Sequence, residues 1–288
     1  MEGDTDQEAV GRFVGRYAGP PSAADESSRS SFREDTVIRE VNSLLDQRGD
    51  QVVRVVDACC GYGVLAAHLR RGLGDGAKNV GYRAFDQSME CVKRVRASHE
   101  RGGFHEFDAK LAEVWEPPAA WGETADLVVL SNVLHELPAS RFPELFAALN
   151  RLLVPRKGRI CIIDMEELPP NEPEAIAVNW SRTEVEQFLT AGGLNVSATT
   201  HTKAVDVFCV VVNHLPTELK RDAMLSELAR LLRAKATVVV EERAAMPEGF
   251  HTDAERLTKW VVQTGSIARL AEELLAVEKA VVPAVPAR

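Results

Sequence analysis

The amino-acid sequence predicts an α/β fold: a doubly wound, mostly parallel sheet followed by a helical carboxyl-terminal extension. Three observations carry that expectation. Val52-Val53-Arg54-Val55-Val56-Asp57 is a β-branched run that passes into the turn Cys59-Cys60-Gly61-Tyr62-Gly63 and then into the apolar, helix-like Val64-Leu65-Ala66-Ala67-His68-Leu69. Comparable apolar runs recur at Val80 to Asp86, Leu127 to Ser131 and Arg159 to Asp164, separated by helical patterns from Met89 to Glu100 and from Arg141 to Leu153. Near the end of the alternating region, Asn195 to Thr200 and Asp206 to Asn213 lie too close together for a helical crossover, so they are expected to pair antiparallel.

The remaining elements follow in order. Ala9, Val10, Phe13, Val14 and Tyr17 fall at helical spacing, and the Gly19-Pro20-Pro21-Ser22 stretch with the Ser/Asp/Glu-rich segment through Ser30 reads as a linker or loop. Ser31 with Glu34 forms a capping box for a helix whose apolar face is Val37, Val41, Leu44 and Leu45. Ser181 with Glu184 opens a second helix, Val185 to Ala191, which Gly192-Gly193 ends. Beyond Pro216 the pattern becomes helical, with Leu219, Met224, Leu225, Leu228, Leu231 and Leu232 on one face; Thr237-Val238-Val239-Val240 suits a strand or more helix, and further helices begin near Asp253 and Ile267. This organisation divides the chain into residues 1–30 (short helix and linker), 31–214 (an α/β ligand-binding domain) and 215–288 (a mainly helical extension).

Composition narrows the function. A chain of 288 residues with 45% hydrophobic and 27% charged residues is that of a globular protein. Its net charge of -9 argues against coating nucleic acid, which needs clustered Lys and Arg to neutralise phosphates. The five cysteines, Cys59, Cys60, Cys91, Cys161 and Cys209, show no metal-ligand spacing and are expected to be reduced thiols of a cytoplasmic protein. The acidic amino terminus lacks a signal-peptide pattern, and no apolar run is long enough to span a membrane. His68, His99, His105, His201, His214 and His251 are not paired as metal ligands, so no metal is expected.

Strand, glycine turn and helix in succession present a nucleotide-like ligand at the carboxyl edge of a sheet. The turn has no Gly-Lys-Ser/Thr, which removes the phosphate-gripping loop, and it matches the dinucleotide fingerprint only loosely. Asp57-x-Cys59-x-Gly61-x-Gly63 resembles motif I of the class I S-adenosylmethionine (SAM) methyltransferases, in which the first of three glycines stands where this chain has Cys59. The last two antiparallel strands resemble the end of that family's seven-stranded sheet, whose final strand runs against the rest. The resemblance spans roughly Ser31 to His214.

It implies SAM as cofactor and a set of binding residues. Asp57, Cys59, Gly61 and Gly63 would face the methionine end, whose carboxylate is favoured by the amides of the turn and of the following helix start. Asp86, about 23 residues beyond Gly63, would accept both ribose hydroxyl protons, with Gln87 beside it; its residue-level alternative is a helix N-cap. Asp108 and Ala109 resemble the segment after the third strand that meets adenine, a carboxylate accepting from the exocyclic amine; the alternative is a solvated acid in a loop. Ser131 and Asn132 end the fourth strand, at the crevice. Tyr62 either covers the methionine chain or packs.

The segment Ser131-Asn132-Val133-Leu134-His135-Glu136 resembles the motif IV region of small-molecule methyltransferases, without the Asn-Pro-Pro-Tyr of nucleic-acid amine methylation or the Pro-Cys of cytosine methylation. In phenol and polyketide O-methyltransferases a His-Asp or His-Glu pair stands there, which makes His135 a candidate general base and Asp164, ending the fifth strand, its candidate orienter. A histidine that only shapes the pocket is the alternative. The loop from Glu166 through Trp180 suits a lid or an ordinary surface loop. The resulting expectation is methylation of a small-molecule acceptor, at oxygen before nitrogen. Alternatives are a non-catalytic SAM-sensing protein whose carboxyl-terminal helices dock a partner, and methylation of protein or RNA; those helices also suit a homo-oligomer contact or a structural cap.

Overall fold

In the computed structural model, the described residues are 23–99, 102–166, 178–202, 207–213, 216, 218–245 and 254–281. The expected helix at Ala9 to Tyr17 and most of the candidate lid lie outside them. Seven strands form one sheet in the order β3-β2-β1-β4-β5-β7-β6. They are β1 (Val53–Ala58), β2 (Val80–Asp86), β3 (Glu106–Leu111), β4 (Leu127–Ser131), β5 (Arg159–Met165), β6 (Asn195–Thr202) and β7 (Val207–Asn213). β1 pairs in parallel with β2 and β4, β2 with β3, and β4 with β5, whereas β7 runs antiparallel to both β5 and β6. A doubly wound sheet with a reversed strand is what the short Asn195–Asn213 spacing required.

Helices cover both faces: α1 (Ala23–Arg48), α2 (Val64–Leu73), α3 (Met89–His99), α4 (Phe142–Asn150), α5 (Arg182–Ala191), α6 (Arg221–Ala244) and α7 (Ala254–Val281). Because side chains alternate along a strand, β1 supplies Val53 and Val55 to one core and Val56 and Ala58 to the other. The first core is closed by Val37, Val41 and Leu44 of α1 with Ala66 and Leu69 of α2. The second is closed by Phe142, Phe146 and Phe188, and by Met224, Leu225, Leu228, Leu231 and Leu232 of α6 with Leu270 and Val277 of α7. The carboxyl-terminal helices therefore complete a core of the sheet.

Three local expectations are corrected, and one left open is settled. α1 runs back to Ala23, through the segment expected to be a linker, so Ser31 lies inside a helix and does not cap one. Residues 237–240 are helical, within α6. The two helices expected near Asp253 and Ile267 are one, α7. Phe107-Asp108-Ala109, expected to follow the third strand, lies within it. By contrast the Ser181–Glu184 capping box forms as expected, Glu184 N donating to Ser181 Oγ at 3.3 Å and Ser181 N to Glu184 Oε2 at 2.8 Å.

Candidate functional site

The sheet order reverses at β1, whose neighbours β2 and β4 connect to it from opposite sides. Such a switch point opens a crevice beyond the carboxyl ends of the strands. A cleft of about 460 Å³ lies there. Its floor is Asp57 and the turn Cys59 to Tyr62; Asp86 and Gln87 form one side, Ser131 and Asn132 the other, and Val64 and Leu65 the start of α2.

The turn is built from left-handed backbone. Gly61 and Gly63 have φ of 50° and 78°, and Cys59 has φ of 60°, a conformation that costs an L residue roughly 1–2 kcal/mol. Cys59 thus adopts the backbone that a glycine would take without strain. A Cβ on Gly63 would lie 2.8 Å from Val95 Cγ2, so this glycine is required both by φ and by the close packing of α3. Gly63 itself does not line the cleft.

The turn's own amides are largely consumed. Cys60 N donates to Phe85 O, Gly63 N to Cys60 O, and Gly61 N to Asp86 Oδ2 at 2.9 Å. The anion-favouring end is instead α2, whose N-cap is Gly63 with no side-chain hydrogen bond. Asp86 does two jobs at once: Oδ1 accepts from Ser88 N at 2.8 Å in the turn leading into α3, whose cap is Ser88 with Oγ accepting from Cys91 N at 3.4 Å, while Oδ2 holds the turn after β1. A carboxylate has further lone pairs, and Asp86 still faces the cleft.

Asp57 is 2% exposed and accepts a hydrogen bond from Tyr82 Oη. Burial pushes its carboxyl up to about 7; the phenol opposes this and Asp86 adds to it. Burial likewise pushes the Cys59 and Cys60 thiols up, which makes them inert rather than nucleophilic. Tyr62 is 57% exposed and lies under the Arg94 guanidinium, 4.2 Å from the ring centre. It lines the cleft and is not a core residue.

Two of the expected cofactor residues stand elsewhere. Asp108 does not line the cleft and lies 3.4 Å from Lys110 Nζ, and Ala109 is buried with its carbonyl taken by Arg96 Nε at 3.0 Å. In their place the chain leaving β3 brings Glu113, Val114 and Trp115 to the cleft. The signal in the sequence is an acid just beyond a strand end, and because β3 runs on to Leu111 that acid is Glu113. Trp115 stacks under the Arg141 guanidinium, 4.0 Å away.

The segment after β4 carries the expected chemistry in an altered arrangement. His135 and Asp164 do meet: His135 Nδ1 is 2.7 Å from Asp164 Oδ1, and His135 N donates to Oδ2 at 3.2 Å. Met165 N also donates to Oδ1, so the carboxylate is held from three sides. Both side chains are 2% exposed and neither lines the cleft. The residue on the wall is Glu136, with Leu137; Glu136 Oε1 lies 3.8 Å from His135 Nε2. Among the described residues no group of three or more His, Cys, Asp or Glu side chains is placed to hold a metal ion, and no helix is long and apolar enough to cross a membrane.

A nucleoside carrying an amino acid would fit these donors and acceptors. Asn132 Oδ1 is buried at the cleft with no hydrogen-bond partner among the described residues, and an ammonium group would satisfy it. The uncapped α2 start suits a carboxylate, and Asp86 a pair of hydroxyls.

A family model described as a methyltransferase domain matches residues 55–156. A search of the curated proteins finds no match. Among solved structures, the CurJ carbon methyltransferase is 12% identical with a TM-score of 0.55, over 73% of this chain and 59% of that one. The CMeT domain of the citrinin polyketide synthase is 15% identical with a TM-score of 0.51, over 62% of this chain and 52% of that one. The magnesium protoporphyrin IX methyltransferase of Synechocystis PCC 6803, solved with bound SAM, is 15% identical with a TM-score of 0.50, over 75% of this chain and all of that one. At these identities the likeness is one of fold.

Proposed function

We propose that this chain, a class I S-adenosylmethionine-dependent methyltransferase with a Rossmann-like seven-stranded sheet, transfers the methyl group to a small-molecule acceptor at the cleft over β1, β2 and β4. The observation that carries this reading is the convergence at one cleft of the turn after β1, Asp86 after β2 and the buried Asn132 acceptor after β4. Bound SAM supplies an electrophilic methyl on a sulfonium whose departure as a thioether drives the reaction.

The chain's own residues divide the work of holding it. Asp86 and Gln87 take the ribose. Glu113, rather than Asp108, accepts from the adenine amine, with Val114 against the ring. Asp57, Asn132 and the start of α2 take the amino-acid end, the Asp57 carboxylate and the Asn132 amide oxygen facing its ammonium and the helix amides its carboxylate. Cys59, Gly61 and Ser131 contribute backbone and small side chains that allow close approach.

Oxygen is the favoured acceptor atom, because a hydroxyl must lose its proton as it attacks and an acid-histidine pair adjoins the wall. The proton passes to Glu136 on the wall or to His135 behind it, with Asp164 fixing the imidazole tautomer. The rest of the rate enhancement comes from alignment of acceptor, methyl and sulfur.

Titration calorimetry with SAM and with its demethylated product S-adenosylhomocysteine tests the cofactor assignment. Wild-type protein is expected to bind both, and Asp86→Ala to bind each at least about tenfold more weakly, as befits loss of a charged hydrogen-bond acceptor. No heat with either ligand, or unchanged affinity in the variant, overturns it. A panel of small hydroxyl and amine acceptors with radiolabelled SAM then decides the acceptor atom.

A further inference from the structure

The loop from β4 to α4, residues 132–141, forms one wall of the cleft through Glu136 and Leu137 and carries His135. Its first half is held by β5 and by Val178, which precedes α5. Asn132 N donates to Ile163 O at 2.7 Å, His135 N to Asp164 Oδ2, and Val178 N to His135 O at 3.0 Å. Its second half is the single turn Ala139–Arg141, preceded by Pro138, which has no N–H to offer.

The first amides of such a turn have no partner within it. Here Ala139 N donates to Glu273 Oε2 at 2.8 Å, across 134 residues of sequence. The Ser140 amide is directed at the same carboxylate. Ala139 is fully buried and Glu273 is 3% exposed, so water does not substitute for this contact. One helical turn earlier in α7, Arg269 Nη2 lies 2.7 Å from Glu273 Oε1 and balances its charge. Leu270 of the same helix packs in the core that holds Leu134, Ala139 and Phe142.

We propose that Glu273 is a positioning residue for the cleft wall: it ties α7 to Ala139, sets the loop that carries His135, Glu136 and Leu137, and makes the carboxyl-terminal helices part of the site. A buried ion pair is a poor way to cap a core, because desolvation offsets most of its attraction and apolar residues would serve as well. Burial pushes the Glu273 carboxyl upward against the opposing Arg269 and amides, so holding it ionised is costly. What the carboxylate supplies that an apolar residue cannot is a fixed acceptor for loop amides at the negative-charge-favouring end of the segment leading into α4. The functional meaning of this tie rests on the proposed methyl transfer; the tie itself does not.

The test uses the full chain with Glu273→Ala and Glu273→Gln. The readouts are amide hydrogen exchange at Ala139 and Ser140, the exchange-protected ring N–H proton of His135 by NMR, and calorimetric binding of S-adenosylhomocysteine. In Glu273→Ala, the two amides should exchange about tenfold faster or more relative to those of β7, the ring proton should broaden or vanish, and the affinity should fall about threefold or more. Glu273→Gln retains a carbonyl acceptor and should restore the local protection to within about twofold of wild type and the ring proton with it. If Glu273→Ala fails to fold, Glu273→Gln decides through the same local signals. A uniform rise in exchange across the molecule with the ring proton intact, or a loosened turn with both ring proton and ligand affinity unchanged, overturns the proposal. Should wild type bind no S-adenosylhomocysteine, the cofactor assignment fails, and exchange with the ring proton alone decides the positioning role.

Discussion

Tyr82 of β2 donates its phenolic proton to the buried carboxylate of Asp57 on the adjacent strand β1, at the floor of the cleft. The phenol is locked in turn by stacking on Phe104 and Phe107, with ring centres 5.0 and 6.2 Å away. Asp57 is therefore a fixed, poorly solvated acid whose carboxyl titrates at about 7.

A pH dependence of stability follows. Burial raises the folded-state pKa from 3.8 to about 7, so between those values the folded chain holds a proton that the unfolded chain has lost. Stability from this group is greatest below the lower value and declines as pH rises to about 7, by an amount on the order of a few kcal/mol. Asp57→Asn should flatten that decline. Urea unfolding at a series of pH values between about 4 and 8 measures it, and parallel pH profiles for the two proteins would refute the assignment.

Removing the phenol should have two effects. Tyr82→Phe deletes the interaction that lowers the Asp57 pKa, so the carboxyl titrates higher still, and it costs about 1–3 kcal/mol for a buried acceptor left short of a donor. The carbonyl-region infrared band of the protonated carboxyl, followed against pH, reports the shift.

Cys59 separates strain from packing. Its φ of 60° suits glycine, while its thiol packs against the second core. Cys59→Ala removes the sulfur and keeps the strain; Cys59→Gly removes both. The glycine variant should be the more stable of the two by about 1 kcal/mol, read from chemical denaturation midpoints. The reverse order would mean that the turn relaxes around Cβ.

Gly63→Ala should behave oppositely. A φ of 78° and a Cβ placed 2.8 Å from Val95 Cγ2 combine a backbone penalty with overpacking. A loss of about 2 kcal/mol or more is expected, together with weakened S-adenosylhomocysteine binding because the turn and α2 start from this residue. Calorimetry and thermal melting of the one variant check both.

Glu136 and His135 divide the proton-transfer proposal. Glu136→Gln leaves the His135–Asp164 pair intact, while His135→Ala leaves Asp164 buried without its imidazole partner. If Glu136 is the base, Glu136→Gln should lower kcat about 100-fold with cofactor affinity unchanged; if His135 is, His135→Ala should do so. Equal, near-wild-type turnover in both would leave alignment alone as the source of catalysis.

Much of the architecture is local in origin. The runs that became β1, β4 and β5 are rich in Val, Ile and Leu because both faces of a parallel sheet are buried, and the Ser181–Glu184 box marks a helix start through contacts three residues apart. Asp57, Gly61, Asp86, Ser131 and Asn132 could be assigned to one crevice for the same reason: each stands at or just beyond the carboxyl end of a strand.

Other features depend on what lies across the fold. Whether Phe107 to Ala109 belong to β3 is decided by pairing with β2, where Tyr82 faces Phe107 and Arg83 faces Asp108, and that register delivers Glu113 to the cleft in place of Asp108. The left-handed backbone at Cys59 is imposed by a turn anchored at Phe85 and Asp86, and no propensity of cysteine would suggest it. His135 meets Asp164 only because β4 and β5 are neighbours, and the same geometry leaves Glu136 on the cleft wall. The contact between Glu273 and Ala139 had no sequence signature at all. The sequence by itself determined six of the seven strands and their order of appearance, because periodicity and turn chemistry act over a few residues, and its resemblance to motif I pointed to the ligand class. Tertiary structure alone decided which acid faces the cleft and which helix holds its wall, since those are set by pairing and burial between segments far apart in the chain.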